Sequence, residues 1–169
     1  IHGPRSVIAN PDGSLFVSEE FNHVIRRIDP SGMIKTFAGT GTEGYSGDGG
    51  PAIDADFSFP NYTATDADGN LYVGQSGFCA IRKITPSGIV TTIAGYGECG
   101  FSLDGEPATM SKVGNVAAIA IGKNGVIYFA DRSNHRIRSI DAFGTLTTVI
   151  GTGQTAFNGL SRTGATTNL

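Results

Sequence analysis

The stretch GTGTEGYSGDGGPA, Gly39–Ala52, decides the fold because a close copy of it, GYGECGFSLDGEPA, follows at Gly95–Ala108. Loops rich in Gly and Asp bind phosphate or calcium in some proteins and connect structural units in others. A phosphate loop needs a lysine and a following helix, and an EF-hand loop needs several alternating oxygen ligands. The first stretch offers Asp48 and no lysine. We therefore expect a connection between repeated units.

The repeat extends over the whole chain. Gly39 and Gly95 are 56 residues apart, and the chain aligns with itself at that spacing without a gap. A repeat of this kind decides the fold before any local pattern does. The copies span 2–57, 58–113 and 114–169. Equivalent positions include Gly13, Gly69 and Gly125; Gly32, Gly88 and Gly144; Phe16, Tyr72 and Tyr128; and Arg26, Arg82 and Arg138.

Each copy contains four short segments with strand character. In the first copy these are RSVIAN, SLFVSE, HVIRRI and MIKTFAG, separated by turns such as PDG and DPSG. Asp, Pro, Ser and Gly supply the backbone angles and local hydrogen bonds that tight turns require. No segment shows the apolar spacing of a helix over a useful length. Four antiparallel strands per repeat predict the blade of a β-propeller.

Four segments carry a family resemblance. NHVIRRIDPSG (22–32), GNLYVG (69–74), NHRIRSID (134–141) and YSGDGGPA (45–52) resemble NHL repeats, in three copies end to end. The resemblance implies an all-β propeller of four-stranded antiparallel blades, usually six in number. Three blades in this chain would then form half of a six-bladed ring. The family implies no single activity, since its members include protein-binding, RNA-binding and enzymatic propellers.

We expect the connecting loops and the turns before each third strand to lie on one face, called the top face here. Tyr45 and Phe101 are expected to pack across blade junctions, and Asp48 and Asp104 to accept backbone N–H groups within their turn. The third copy has Leu160 at the aspartate position. The predicted binding residues of the top face are Tyr45, Asp48, Phe78, Phe101, Asp104, Asn134 and His135.

The cysteines and one Asn bear on location. Cys79 and Cys99 fall in one copy on neighbouring strands, which are about 5 Å apart, so a disulfide is expected. Asn61 opens an NYT triplet, a glycosylation pattern. A disulfide favours an oxidising compartment, so we expect an extracellular or secreted protein. No apolar run is long enough to span a membrane.

Catalytic and metal sites find little support in the sequence. His23, Cys79 and His135 share one repeat position, and such positions in different blades do not converge on a zinc ion. The innermost strands offer no His or acidic set at the positions that would line a central channel. We predict no catalytic residue, no metal and no cofactor. The inner-strand positions that would line a central channel are Arg5, Ser6, Asn61, Thr63, Asn115 and Ala117.

The sequence favours a non-catalytic scaffold for protein–protein contacts. Because propellers typically have four to eight blades, partners should include further blades, with a head-to-tail homodimer as one route to closure. Two alternatives stay open. One is a lyase or hydrolase that uses the central channel. The other is an RNA-binding propeller that uses the basic segment 131–138, although a net charge of −3 argues against a general nucleic-acid binder.

Overall fold

The computed structural model describes residues 1–155, which form three four-stranded antiparallel sheets. Strand order in each sheet follows the sequence. This confirms the predicted all-β fold of three propeller blades. The first blade contains β1 (Pro4–Ala9), β2 (Leu15–Glu19), β3 (Val24–Ile28) and β4 (Ile34–Ala38). The second contains β5 (Pro60–Thr65), β6 (Leu71–Gln75), β7 (Ala80–Ile84) and β8 (Val90–Ala94). The third contains β9 (Val116–Ile121), β10 (Ile127–Asp131), β11 (Arg136–Ile140) and β12 (Leu146–Ile150).

Short 3-10 segments and aspartate turns connect these strands. The 3-10 segments are Ala52–Asp54, Ala108–Met110, Lys123–Gly125 and Arg132–Asn134. Between β3 and β4, Asp29 Oδ1 accepts the N–H groups of Ser31 and Met33 at 2.9 and 3.0 Å. These bonds occupy backbone donors that the turn leaves outside the ladder. The aspartate of the DPSG sequence therefore stabilises the turn between β3 and β4 that the sequence predicts.

The core lies between blades. One apolar cluster joins the first and second blades, and a second cluster joins the second and third. Phe57 and Val73 of the first cluster are fully buried, as is Leu146 of the second. The inner strands β1, β5 and β9 lie side by side. The blades therefore fan around a common centre, because each sheet buries its apolar faces on its neighbours.

The two outward faces of this half-ring look like uncovered junctions. In the second blade Leu71, Ile84 and Val90 are fully or almost fully buried. Their equivalents in the first blade are partly exposed. On the third blade, Tyr128 is 38% exposed, whereas its equivalent in the second blade is buried. The partly exposed first-blade equivalents of the three buried residues of the second blade are Leu15, Ile28 and Ile34.

The glycine-rich stretch connects the first two blades at their outer edge. The N–H of Gly39, at the end of β4, donates to Ala52 O at 2.9 Å. Farther along, Gly49 N–H donates to Val90 O of the next blade at 2.8 Å, and Pro51 bridges Ile89. The loop therefore leaves one blade, pairs with the outer strand of the next and returns to β5. The corresponding loop of the third copy, with Leu160, lies outside the described residues.

Candidate functional site

An aspartate in each described connecting loop binds an arginine of the following blade. Asp48 Oδ1 lies 2.7 Å from Arg82 Nη2, and Asp104 Oδ1 lies 3.0 Å from Arg138 Nη2. Both guanidinium side chains are buried, with exposures of 1% and 0%. Removing an arginine charge from water is costly unless it is paired. The repeated Asp and Arg therefore form an ion pair that holds adjacent blades together.

The same aspartates also tie down the next outer strand. Asp48 Oδ2 accepts the N–H of Thr92, and Asp104 Oδ1 accepts the N–H of Thr148, each at 2.9 Å. We expected Asp48 and Asp104 to accept N–H groups from their own turn. The backbone donors in the structure belong instead to the outer strand of the following blade. Burial by itself raises the pKa of Asp104, but the bonds from Thr148 and from the Arg138 guanidinium hold that pKa below its ordinary value.

The aromatic residues of the loops pack near these pairs. The ring of Tyr45 stacks on Phe78 of the second blade with 5.9 Å between centroids, and its hydroxyl donates to Thr92 at 3.0 Å. Phe101 of the next loop lies under the Arg136 guanidinium at 4.2 Å and keeps 40% of its surface exposed. Both rings therefore contribute to a junction, and Phe101 also remains accessible.

Asn134 and His135 belong to the turn before β11. Asn134 Nδ2 donates to Gly100 O at 2.7 Å and to Asp131 at 2.9 Å. His135 has a φ of 51°, and its equivalents His23 and Cys79 are also left-handed, with φ of 54° and 40°. This position is shaped by the turn, and Asn134 links the turn to the preceding loop.

The second blade contains the cysteine pair and the NYT triplet. Cys79 and Cys99 form a disulfide with 5.0 Å between their Cα atoms, which ties the turn before β7 to the second connecting loop. Asn61 lies in β5 and is only 6% exposed. A glycan cannot be attached to a side chain so enclosed without opening the blade. The structure therefore argues against the glycosylation that the triplet predicts.

A polar cavity of about 220 Å³ lies against the inner strands, and it is called the inner-strand cavity here. All three blades contribute to it, through their first strands and the segments that follow their second strands. This is the end of the sheets that also carries the turns before each third strand. The cavity is lined by Arg5, Glu20, Asn61, Tyr62, Ser76, Asn115, Ala117 and Arg132.

The charges in the inner-strand cavity are unevenly matched. Arg5 Nε donates to Glu20 Oε2 at 2.6 Å, and that carboxylate is almost buried. Arg132 is exposed, and its guanidinium forms no hydrogen bond or ion pair with any residue of 1–155. Asn61 Oδ1 is buried without a hydrogen-bond partner in the same part of the chain. The cavity therefore offers one uncompensated positive charge, that of Arg132.

The repeat register shows which positions differ between blades. The junction arginine is the same in all three copies, whereas the cavity position occupied by Arg5 becomes Asn61 and then Ala117. Another cavity position is Glu20, then Ser76, then Arg132. The junction position keeps the same residue type in every repeat, whereas the two cavity positions carry a different residue type in each blade. Sequence reasoning missed Glu20 and Ser76 and considered Arg132 only as part of the basic segment 131–138, although a comparison of equivalent positions at this end of the blades would have found all three.

Residues 1–155 contain neither a cluster of metal ligands nor a membrane-spanning helix. Among residues 1–155, no three or more His, Cys, Asp or Glu side chains come together as ligands for a metal ion. No helix in that part of the chain is long and apolar enough to cross a bilayer. The chemistry that the cavity does offer consists of guanidinium, amide and hydroxyl groups around one ion pair, in which Arg5 is half exposed and Glu20 is almost buried.

Comparison with known proteins gives relatives that are much longer than this chain. Teneurin-3 of Mus musculus is 32% identical over 165 residues, and teneurin-4 of Homo sapiens is 30% identical over 165 residues. Each match covers 88% of this chain and 6% of the relative. The chain thus spans a small part of the curated relatives that it matches. No protein-family model matches the chain.

Solved structures show the same fold at low sequence identity. A protein of unknown function from Bacteroides thetaiotaomicron has a TM-score of 0.73 and 18% identity, with 98% of this chain and 40% of that chain covered. Virginiamycin B lyase from Staphylococcus aureus has a TM-score of 0.59 and 18% identity, with 86% and 40% covered. These neighbours are β-propellers. Together with the three blades, they support a propeller-like repeat.

Proposed function

We propose that this chain is an NHL-type propeller segment that serves as a non-catalytic scaffold for a protein partner. The observation that carries the proposal is the inner-strand cavity, which Tyr62 lines. Tyr62 is 38% exposed beside polar groups that differ from blade to blade, and Phe21, next in sequence to the lining residue Glu20, is 53% exposed. Exposed aromatic residues and arginines are enriched where proteins bind each other. The sequence motifs that recur in the three repeats and the propeller neighbours support the family.

The outward faces support a second part of the proposal, that further blades complete the ring. Arg26 is the first-blade equivalent of Arg82 and Arg138, and its side chain is 25% exposed. It lies 3.6 Å from Glu19 of its own blade and, unlike Arg82 and Arg138, pairs with no loop aspartate among residues 1–155. An additional blade with a loop aspartate would meet Arg26 as Asp48 meets Arg82. A second copy of the chain, joined head to tail, is the other way to cover this face.

The disulfide between Cys79 and Cys99 supports an extracellular location, because such bonds persist in oxidising compartments. The predicted binding residues of the top face contribute to the proposal through Phe101, which is exposed beside Arg136. Tyr45, Asp48 and Asp104 contact the following blade at its outer edge, whereas Phe78, Asn134 and His135 belong to the turns before the third strands.

Selection of peptides displayed on phage against the full chain tests the scaffold function. We expect enriched peptides whose binding is lost in the double variant Phe21→Ser, Tyr62→Ser. Phe143→Ser is the matched control, because Phe143 is a highly exposed aromatic in the turn at the other end of the strands. Enrichment of no peptide, or binding that survives the double variant and fails in Phe143→Ser, would reject the proposed surface.

A further inference from the structure

We infer that the inner-strand cavity binds a carboxylate from an acidic segment of the partner, with Arg132 as the main charged contact. This inference rests on the proposed function and adds the chemistry of its ligand. Arg5 and Glu20 already pair with each other, so they contribute little net charge. Arg132 supplies a guanidinium that no residue of 1–155 neutralises. Arginine binds carboxylates through two parallel N–H groups, which favours this ligand.

The hydrogen-bonding groups of the cavity suit a peptide that carries the carboxylate. Asn115 lines the same space, and its side-chain amide can donate to the carboxylate oxygens. Tyr62, at the rim, offers a ring on which the peptide chain can pack.

The size and charge of the site favour an acidic peptide over a nucleic acid. A single unpaired guanidinium in a cavity of about 220 Å³ matches one carboxylate. A phosphate backbone is usually met by several basic side chains spread along a surface. The chain carries 15 acidic and 12 basic residues, so it would repel a long polyanion in general. A short acidic segment can place one carboxylate without that repulsion.

Fluorescence anisotropy with labelled, end-capped hexaglutamate tests this inference on the full chain. We expect saturable binding that weakens with salt, and about tenfold weaker binding for Arg132→Gln, the loss of one charge-assisted contact. Arg132→Lys should restore part of the affinity. Glu20→Gln should tighten binding, because Arg5 then loses its internal carboxylate. The control is Arg27→Gln, since Arg27 pairs with Asp12 away from the cavity and its loss should change nothing.

Hexalysine and a six-nucleotide oligouridylate serve as the competing probes. Undetectable hexaglutamate binding, equal binding by Arg132→Gln, or tighter binding of oligouridylate overturns the inference. Neutral peptides enriched through Phe21 and Tyr62 would reject it while leaving the scaffold function in place. Binding of hexaglutamate through Arg132, in a chain that selects no displayed peptide, would support the carboxylate site and reject the scaffold function.

Discussion

Asp48 and Arg82 lie in different blades and meet at 2.7 Å, with the guanidinium buried and the carboxylate half exposed. Arg82 Nη2 also donates to Ser46 O at 3.0 Å, and its guanidinium lies 5.3 Å from the ring centres of Tyr45 and Phe57. One side chain of the second blade therefore contacts charged, polar and aromatic groups of the preceding loop. The junction depends on this contact as well as on apolar packing.

Asp48→Ala should lower the free energy of unfolding by about 2 kcal/mol, because it removes a charge-assisted bond and leaves a buried guanidinium less well paired. Urea denaturation followed by circular dichroism measures the change. Glu98→Ala removes the exposed pair with Lys112 and is the matched control, with no significant effect expected. Similar losses in both variants would mean that the buried position of Arg82 is unimportant.

Asp104 should make stability depend on pH in the acid range. Its folded-state pKa lies below the ordinary value of 3.8. Its contribution is therefore fully present above that ordinary value and is lost as the pH falls through the folded-state pKa. Asp104→Asn should flatten the acid part of the stability curve, measured as the free energy of unfolding between pH 6 and 2. An unchanged acid slope in this variant would contradict the assignment.

The repeat predicted much of this architecture, because equal spacing of turns and strands leaves few alternatives to blades. The distance between Asp48 and Arg82 in the sequence concealed their pairing, since only the packing of one blade on the next brings them together. Arg138 also lies 3.8 Å from Asp131 on the neighbouring strand of its own blade, a pairing that strand adjacency within one repeat can predict. The sequence placed Arg132 in the basic segment 131–138, but only the structure shows that its guanidinium has no partner among residues 1–155.

The disulfide should contribute substantially to stability. Cys79 and Cys99 are separated by 20 residues, and closing a loop of that size in the unfolded chain corresponds to about 3 kcal/mol. The double variant Cys79→Ala, Cys99→Ala should lose stability by about that amount in urea denaturation. Addition of a thiol reductant should destabilise the original chain and leave the double variant unchanged. Equal sensitivity of both proteins to the reductant would exclude the bond as the cause.

Two glycines with similar backbone angles should tolerate substitution differently. Gly39 has a φ of +99°, and a Cβ there would press on the backbone of His23 and Val24. Gly32 has a φ of +87° and no atom within 4 Å of such a Cβ. Gly32→Ala should cost about 1 kcal/mol from backbone conformation alone, and Gly39→Ala clearly more. Thermal unfolding of both variants measures the difference, and equal melting temperatures would rule out the backbone contact.

The outward faces should make the chain associate as its concentration rises. Burying apolar surface is favourable. The first and third blades each expose a face whose equivalent is buried at the junctions with the second blade. Ile34→Lys and Ile137→Lys, one on each face, should each reduce the average mass measured by light scattering. Phe143→Lys changes an exposed turn residue and should not. If only Phe143→Lys reduced the association, the contact between copies would lie at the turn that contains Phe143 and not on the outward faces.

The direction of the junction pair has a consequence for how the protein is made. Asp104 precedes its partner Arg138 by 34 residues. During translation the loop that carries the carboxylate is therefore synthesised before the strand that carries the guanidinium. Each new repeat can then dock on one that is already formed, in the order of translation. Biosynthesis from the N-terminus would thus protect each growing sheet in turn, and the same chain diluted from denaturant would lack that ordered assembly.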